Sequence, residues 1–157
     1  MLDYNLAYNL VLQQYFEPGF QRWGFLKDEE IYNYADKLIE DFDIRSGEGA
    51  DTITRSMSGG NQQKVVMAKI LAMEPEIFLM HDITRGVDVG TKKEMFTMVR
   101  NFAKEGHPVI FFSTDVEELV KVCDRVLVMY DGKNRSGSER SVPDKGEHCR
   151  GVYRKYS

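Results

Sequence analysis

The run Ser56-Met57-Ser58-Gly59-Gly60-Asn61-Gln62-Gln63-Lys64 sets a small hydroxyl and two glycines at the start of a helical pattern. Such a junction aims free backbone N–H groups and the positive end of a helix dipole at one point, where an anion can sit. The glycines let a phosphate approach the backbone, and Ser58 can cap the helix or donate to an oxygen. Taken alone, Ser-Gly-Gly is also an ordinary turn. Two more places put polar groups directly after apolar runs. His81-Asp82 follows Ile77-Phe78-Leu79-Met80, and Ser113-Thr114-Asp115 follows Val109-Ile110-Phe111-Phe112.

The elements that must position these groups read as strands alternating with helices. A helix is expected over Gln62–Met73, then a strand at Ile77–Met80. A helix beginning near Thr91 follows, with Thr91-Lys92-Lys93-Glu94 as a capping box and Met95, Val99 and Phe102 as its buried stripe. A strand at Val109–Ser113 comes next. Asp115, Glu117 and Glu118 then place negative charge in the first turn of another helix, a structural role that the helix dipole favours. Cys123–Tyr130 holds the last apolar run. This alternation predicts a parallel sheet, whose ligands collect at the carboxyl ends of strands. Asp82 and Thr114 stand at such ends.

The chain resembles the nucleotide-binding domain of an ATP-binding-cassette (ABC) transporter. Ser58-Gly59-Gly60 followed by Asn61-Gln62-Gln63-Lys64 is similar to the signature of the ATPase subunits of simple-sugar and ribonucleoside importers. Those subunits carry two such domains in tandem. Thr84-Arg85-Gly86-Val87-Asp88-Val89-Gly90 resembles their D-loop, and Cys123-Asp124-Arg125-Val126-Leu127-Val128-Met129 their last core strand. Leu2 through Gln14 resembles a stretch of the second domain. The likeness runs from about Leu2 to Lys133, in the latter half of one domain.

The resemblance implies an α/β fold: a partial P-loop NTPase of ABC type, a parallel sheet with a helical subdomain, and the phosphate-loop half missing. No Gly-x-x-x-x-Gly-Lys-[Ser/Thr] occurs in the sequence. The implied cofactors are ATP and Mg²⁺, engaged only with a partner domain. Ser58, Gly59, Gly60, Asn61 and Gln62 would bind ATP in trans, and Asp88 would lie at the seam. Asp82 stands where the family has a glutamate that polarises water, on a shorter stem. Thr114 stands where it has a switch histidine. His81 replaces the magnesium-organising aspartate; imidazole suits hard Mg²⁺ poorly. His81 therefore reads as a strand-end residue bonded to a neighbouring loop, and no metal ligand is assigned. Asp82 stays open between a residual functional carboxylate and a loop cap.

The expected organisation is a helical subdomain over 1–57, the signature helix and C-terminal half of the ATPase core over 58–133, and a tail over 134–157. In the front part a helix is expected over 2–15 and another over Glu29–Asp41, capped by Asp28, with Ile31, Ala35, Leu38 and Ile39 inward. Phe16, Phe20, Trp23 and Phe25 between them form either a small core or, by resemblance, a docking surface for the permease. The tail holds six basic and three acidic residues, is rich in Ser and Gly, and has little apolar periodicity. It is expected to be disordered and unlike the family. In the resembled fold the phosphate-loop strand lies between the strands matching Val109–Ser113 and Val126–Tyr130. With it absent, those two are expected either to close up or to leave an open slot.

A net charge of −4, with 42% hydrophobic and 29% charged residues, gives no reason to expect nucleic acid. No apolar stretch approaches the ~20 residues of a membrane span. Cys123 and Cys149 lack metal spacing, and Cys123 reads as a small buried thiol. A reduced, cytoplasmic setting fits, with the protein peripheral at the inner face of the membrane through permease subunits. The partners implied are another nucleotide-binding domain and those permease subunits. Two functions follow. One is a partial ATP-binding subunit donating its signature motif to a shared ATP site. The other is a non-catalytic interaction module docking on the permease.

Overall fold

The computed structural model describes residues 1–130, 133–139 and 149–154. They fall into two compact units. The first takes Met1–Glu74 with Gly86–Thr91, and the second takes Pro75–Arg85 with the described residues from Lys92 onward. Residues 59–71 therefore group with the front of the chain and not with the sheet.

The first unit holds α1 (Leu6–Leu10), the hairpin β1 (Gln21–Arg22) and β2 (Phe25–Leu26), α2 (Asp28–Asp41) and α3 (Gly59–Leu71). The helix expected over 2–15 is only five residues long. Its start is fixed by Asn5, whose side chain accepts the Tyr8 N–H at 3.2 Å. Residues before it cannot be helical, because their carbonyls are committed elsewhere. The Tyr4 and Leu2 carbonyls accept the N–H groups of Thr54 (3.1 Å) and Arg55 (2.9 Å). Leu6 and Leu10 meet Ile31, Ala35 and Leu38 of α2 and Val65 and Ala68 of α3 in one apolar core. The α2 residues recur at helical spacing, as the sequence predicts.

Asn9 fastens this unit. It is buried, and its amide nitrogen lies 2.7 Å from the Met1 carbonyl and 2.8 Å from the Thr54 hydroxyl. Thr54 in turn offers its carbonyl to the Gln62 amide of α3 at 3.2 Å. A buried amide thus links the first residues of the chain to the start of the signature helix.

The second unit is built on a sheet of β3 (Phe78–His81), β4 (Val109–Phe112), β5 (Arg125–Tyr130), β6 (Lys133–Glu139) and β7 (Cys149–Arg154). Its five strands lie in the order β3-β4-β7-β5-β6. β3, β4, β7 and β5 run parallel, and β6 returns antiparallel to β5. α4 (Val89–Lys104) and α5 (Val116–Val122) are its helices. Met95, Val99 and Phe102 of α4 are buried as expected. Phe102 meets Phe78 edge-on at 6.0 Å, and Phe96 meets Phe111 at 5.9 Å. Cys123 is buried, as expected.

Neither outcome expected for the gap between β4 and β5 occurs. β7 lies between them, pairing Phe111 with Gly151 on one side and Val126 with Gly151 on the other. The tail expected over 134–157 to lack structure instead supplies strand residues at 134–139 and Cys149–Arg154; residues 140–148 and 155–157 lie outside the described residues. The physical reason is that a gap in a sheet leaves backbone N–H and C=O groups to satisfy, and any extended segment can supply partners. Side-chain periodicity, on which the expectation rested, does not report this capacity.

Replacing Asn9 with alanine strips the Thr54 hydroxyl and the Met1 carbonyl of a buried donor. The expected cost is about 1–3 kcal/mol, measured as a lower urea midpoint at unchanged m-value. An unchanged midpoint would show that water replaces the amide.

Candidate functional site: two loop clusters

In the first unit, Ser58 caps α3 from an extended conformation (φ −61, ψ 151). Its hydroxyl accepts the Asn61 N–H at 3.4 Å and the Asn61 amide at 3.1 Å. Asn61 also accepts the Arg45 N–H at 3.1 Å. The Gln62 amide donates to the carbonyls of Thr54 (3.2 Å) and Met57 (3.1 Å). Asn61 and Gln62 therefore hold the preceding loop against the helix start, while Ser58 and Gly59 remain exposed.

The two glycines differ sharply. A Cβ on Gly59 would meet nothing within 4 Å. A Cβ on Gly60 would come 2.9 Å from both Cγ2 and Oγ1 of Thr91. Gly60 is thus required by close approach, whereas Gly59 leaves open space in front of the helix start. Thr91 is held in turn by Asp88. The Asp88 carboxylate accepts the Thr91 N–H at 3.0 Å and the Thr91 hydroxyl at 2.7 Å. These two bonds, the backbone one first, draw the Asp88 carboxyl below its ordinary range. Asp88 and Gly60, 28 positions apart in the sequence, so converge on one threonine. Asp88 caps α4, which begins at Val89. The capping box expected at Thr91 is displaced, because Thr91 lies inside the helix with its hydroxyl turned back to Asp88.

Lys64 carries no warning in composition, yet it is among the largest fully buried side chains. Its ammonium donates to the Asp43 carbonyl at 2.7 Å. The available signal was its position four residues after Gly60, on the face that also carries Ala68 and Leu71.

In the second unit, the ladder pairs His81 with Phe112. Asp82 and Ser113-Thr114 therefore emerge side by side. Asp82 adopts a left-handed conformation (φ 47). Its N–H donates to the Phe112 carbonyl at 2.9 Å, and its carboxylate accepts the Thr114 N–H at 3.0 Å. The two residues singled out from sequence are thus directly bonded. The φ of Asp82 is costly for a residue with a side chain and marks a constrained turn. His81 is exposed and stacks on Phe112 at 4.6 Å. Among the described residues no group of three or more His, Cys, Asp or Glu could hold a metal ion. One Asp82 oxygen is taken by the Thr114 N–H and the His81 imidazole is stacked, a donor set that does not suit Mg²⁺.

Beside this turn lies a carboxylate that the sequence places in the first turn of a helix. Glu118 is 5% exposed. Its Oε2 accepts the hydroxyls of Thr84 (2.6 Å) and Ser113 (3.0 Å), and its Oε1 accepts the Lys92 ammonium at 2.7 Å. Thr84 and Ser113 are each 2% exposed. The bond to Glu118 raises the Lys92 pKa above its ordinary value. The signal for Glu118 lay in α5 itself: it shares the buried face with Leu119 and Val122.

The front of the first unit carries an apolar pocket of about 510 Å³, lined by Met1, Tyr4, Tyr8, Leu12, Tyr15 and Leu26 among others. Nearby in sequence, Trp23 and Gly24 turn the β1–β2 hairpin, both left-handed (φ 57 and 84). Trp23 and Phe25 are strongly exposed.

No family model matches the chain. Among curated proteins, it is 34% identical over 145 residues to the ribose import ATP-binding protein of Streptococcus agalactiae, covering 92% of this chain and 29% of that protein. It is 35% identical over 133 residues to the nucleoside import ATP-binding protein of Lactococcus lactis subsp. cremoris, 85% of this chain and 26% of that one. Over 84 residues it is 54% identical to a ribose import ATP-binding protein of Mesorhizobium japonicum, covering 54% of this chain and 16% of the relative. The chain therefore spans less than a third of these relatives. Among solved structures, a nucleotide-free ATP-binding cassette from an ABC transporter matches with TM-score 0.71 at 19% identity, over 87% of this chain and 56% of that one. A dimeric cassette in a post-hydrolysis state, bound to ADP and Pi, matches with TM-score 0.70 at 21% identity, over 88% and 58%. In fold and in relatives, the chain is a partial ATP-binding cassette of the ABC family, akin to the ribose and nucleoside import ATP-binding proteins.

Proposed function

We propose that this chain supplies one wall of an ATP site shared with a second nucleotide-binding domain, in an importer of ribose-like sugars or nucleosides. The observation that carries this reading is the open start of α3. Ser58 and Gly59 face solvent, nothing stands in front of Gly59, and Gly60 is fixed behind them by Thr91 and Asp88. Backbone N–H groups held in this way are suited to a phosphate brought by another domain. Asn61 and Gln62 support the reading indirectly, by fixing the loop that presents Ser58. When bound, ATP with its magnesium would be gripped by the partner's own phosphate loop; this chain would contribute fixed dipoles.

The apolar pocket and the exposed aromatics of the first unit suit a membrane subunit's cytoplasmic loop. No described helix is long and apolar enough to cross a membrane. A permease contact would therefore hold the chain peripherally at the inner face.

A second reading, a non-catalytic interaction module, is favoured by Asp82. Its Oδ1 accepts the Thr114 N–H at 3.0 Å. An oxygen already accepting a backbone N–H is less available to orient a water.

The test mixes the chain with a cassette that keeps its phosphate loop but has its own Ser-Gly-Gly disabled. Added chain is expected to restore ATP hydrolysis, and Ser58→Arg to lower the restored rate by about tenfold or more. Restoration untouched by Ser58→Arg would favour the interaction module. Tight, stoichiometric nucleotide binding by the chain alone would overturn the shared site altogether.

The glycines give a sharper pair. Gly59→Ala is expected to leave the melting temperature within about 2 °C of the parent yet to impair the restored hydrolysis. Gly60→Ala forces Cβ into Thr91 and is expected to destabilise the first unit by about 1–3 kcal/mol. Equal melting temperatures for the two would contradict the packing of Gly60.

A further inference from the structure

We propose that Glu118 is a positioning residue: it locks the segment after β3 to the segment after β4, and so holds the Asp82 carboxylate on the Thr114 amide. The two segments meet at two adjacent rungs. One is direct, from the Thr114 N–H to Asp82. The other runs through Glu118, which takes the Thr84 hydroxyl from the first segment and the Ser113 hydroxyl from the second on a single oxygen, Oε2. Asp82 and Thr84 lie two residues apart, and Ser113 and Thr114 are neighbours. Shifting either segment would break both rungs.

Three features separate this arrangement from an ordinary surface bond. Glu118, Thr84 and Ser113 are all nearly inaccessible to water, so a lost bond is not replaced from solvent. Both carboxylate oxygens are filled, Oε1 by Lys92 of α4. One side chain therefore joins the loops after β3 and β4 with α4 and α5. The direct rung also needs support, because Asp82 holds a left-handed φ that its neighbours must over-determine. Ser113 extends the same relay by accepting the Asp115 N–H at 3.0 Å, at the start of α5.

The bearing of Glu118 on ATP chemistry rests on the shared-site reading proposed above.

Amide hydrogen exchange and NMR of the full chain read the Thr114 N–H directly. Glu118→Gln keeps an oxygen for the hydroxyls but turns an N–H₂ toward the Lys92 ammonium. Thr84→Val removes one donor at constant shape, and Thr84→Ser restores it. Exchange at Thr114 is expected to accelerate by about tenfold or more in Glu118→Gln and Thr84→Val. It should return to the parent rate in Thr84→Ser, with the β3–β4 ladder unchanged throughout. In an Asp82→Ala background, where the direct rung is already gone, Glu118→Gln should add nothing further at Thr114.

An unchanged Thr114 amide in Thr84→Val overturns the proposal. So does acceleration of Thr114 and the whole ladder together in that variant, or additivity with Asp82→Ala. Should Glu118→Gln unfold the sheet, Thr84→Val and Thr84→Ser decide. Failure of the chain to restore a partner's hydrolysis would count against the shared site and leave these exchange results standing.

Discussion

A strand inside a sheet must pair its backbone groups on both sides, and β4 meets that demand with β3 on one side and β7 on the other. The consequences reach the loops. Parallel pairing of Phe78–His81 with Val109–Phe112 sets the strands in step, so both chains leave the sheet at the same end. Asp82 and Thr114 then leave the sheet side by side because their strands are in register. Glu118 enters from α5 and takes the Thr84 and Ser113 hydroxyls together. A slip of one residue in that ladder would turn alternate side chains to the opposite face and dissolve the cluster.

The first unit solves a similar problem without a sheet. A helix start presents N–H groups that lack intrahelical partners. At α3 the loop before it is tied down by Asn61 and Gln62, and the helix is pressed from behind by Thr91 against Gly60. At α4 the corresponding donors are met by Asp88. The same aspartate thus caps one helix and sets the threonine that shapes another. Its lowered pKa follows from those bonds. The carboxylate's contribution is therefore present above the pKa of the unfolded chain and fades as pH falls through the folded value.

The sequence made some of this plain and hid the rest for identifiable reasons. Ile31, Ala35 and Leu38, and again Met95, Val99 and Phe102, advertise their helices because burial imposes a period on residue type. Ser58-Gly59-Gly60 and Asp82 were legible because their types are unusual where they fall. Glu118 and Lys64 were not, since charged residues on helices read as solvent-facing until their spacing from buried neighbours is weighed. The shortness of α1 was hidden for another reason. Leu2 and Tyr4 fit a helical stripe, but their carbonyls are taken by Thr54 and Arg55, some fifty residues away. Non-local backbone pairing leaves no local mark.

β7 is the extreme case of that invisibility. Central strands of parallel sheets usually read as continuous apolar runs. Cys149-Arg150-Gly151-Val152-Tyr153-Arg154 does not. Its place follows from supply and demand in backbone hydrogen bonds: β4 and β5 each present an edge, both edges want a parallel neighbour, and β7 satisfies both at once. The position it fills is the one that the resembled fold gives to the phosphate-loop strand. A strand there delivers the residues after it to the end of the sheet where Asp82 and Thr114 lie. Which segment occupies the centre therefore decides what that end can bind. β7 completes the sheet between β4 and β5, and its own residues carry no Gly-x-x-x-x-Gly-Lys pattern.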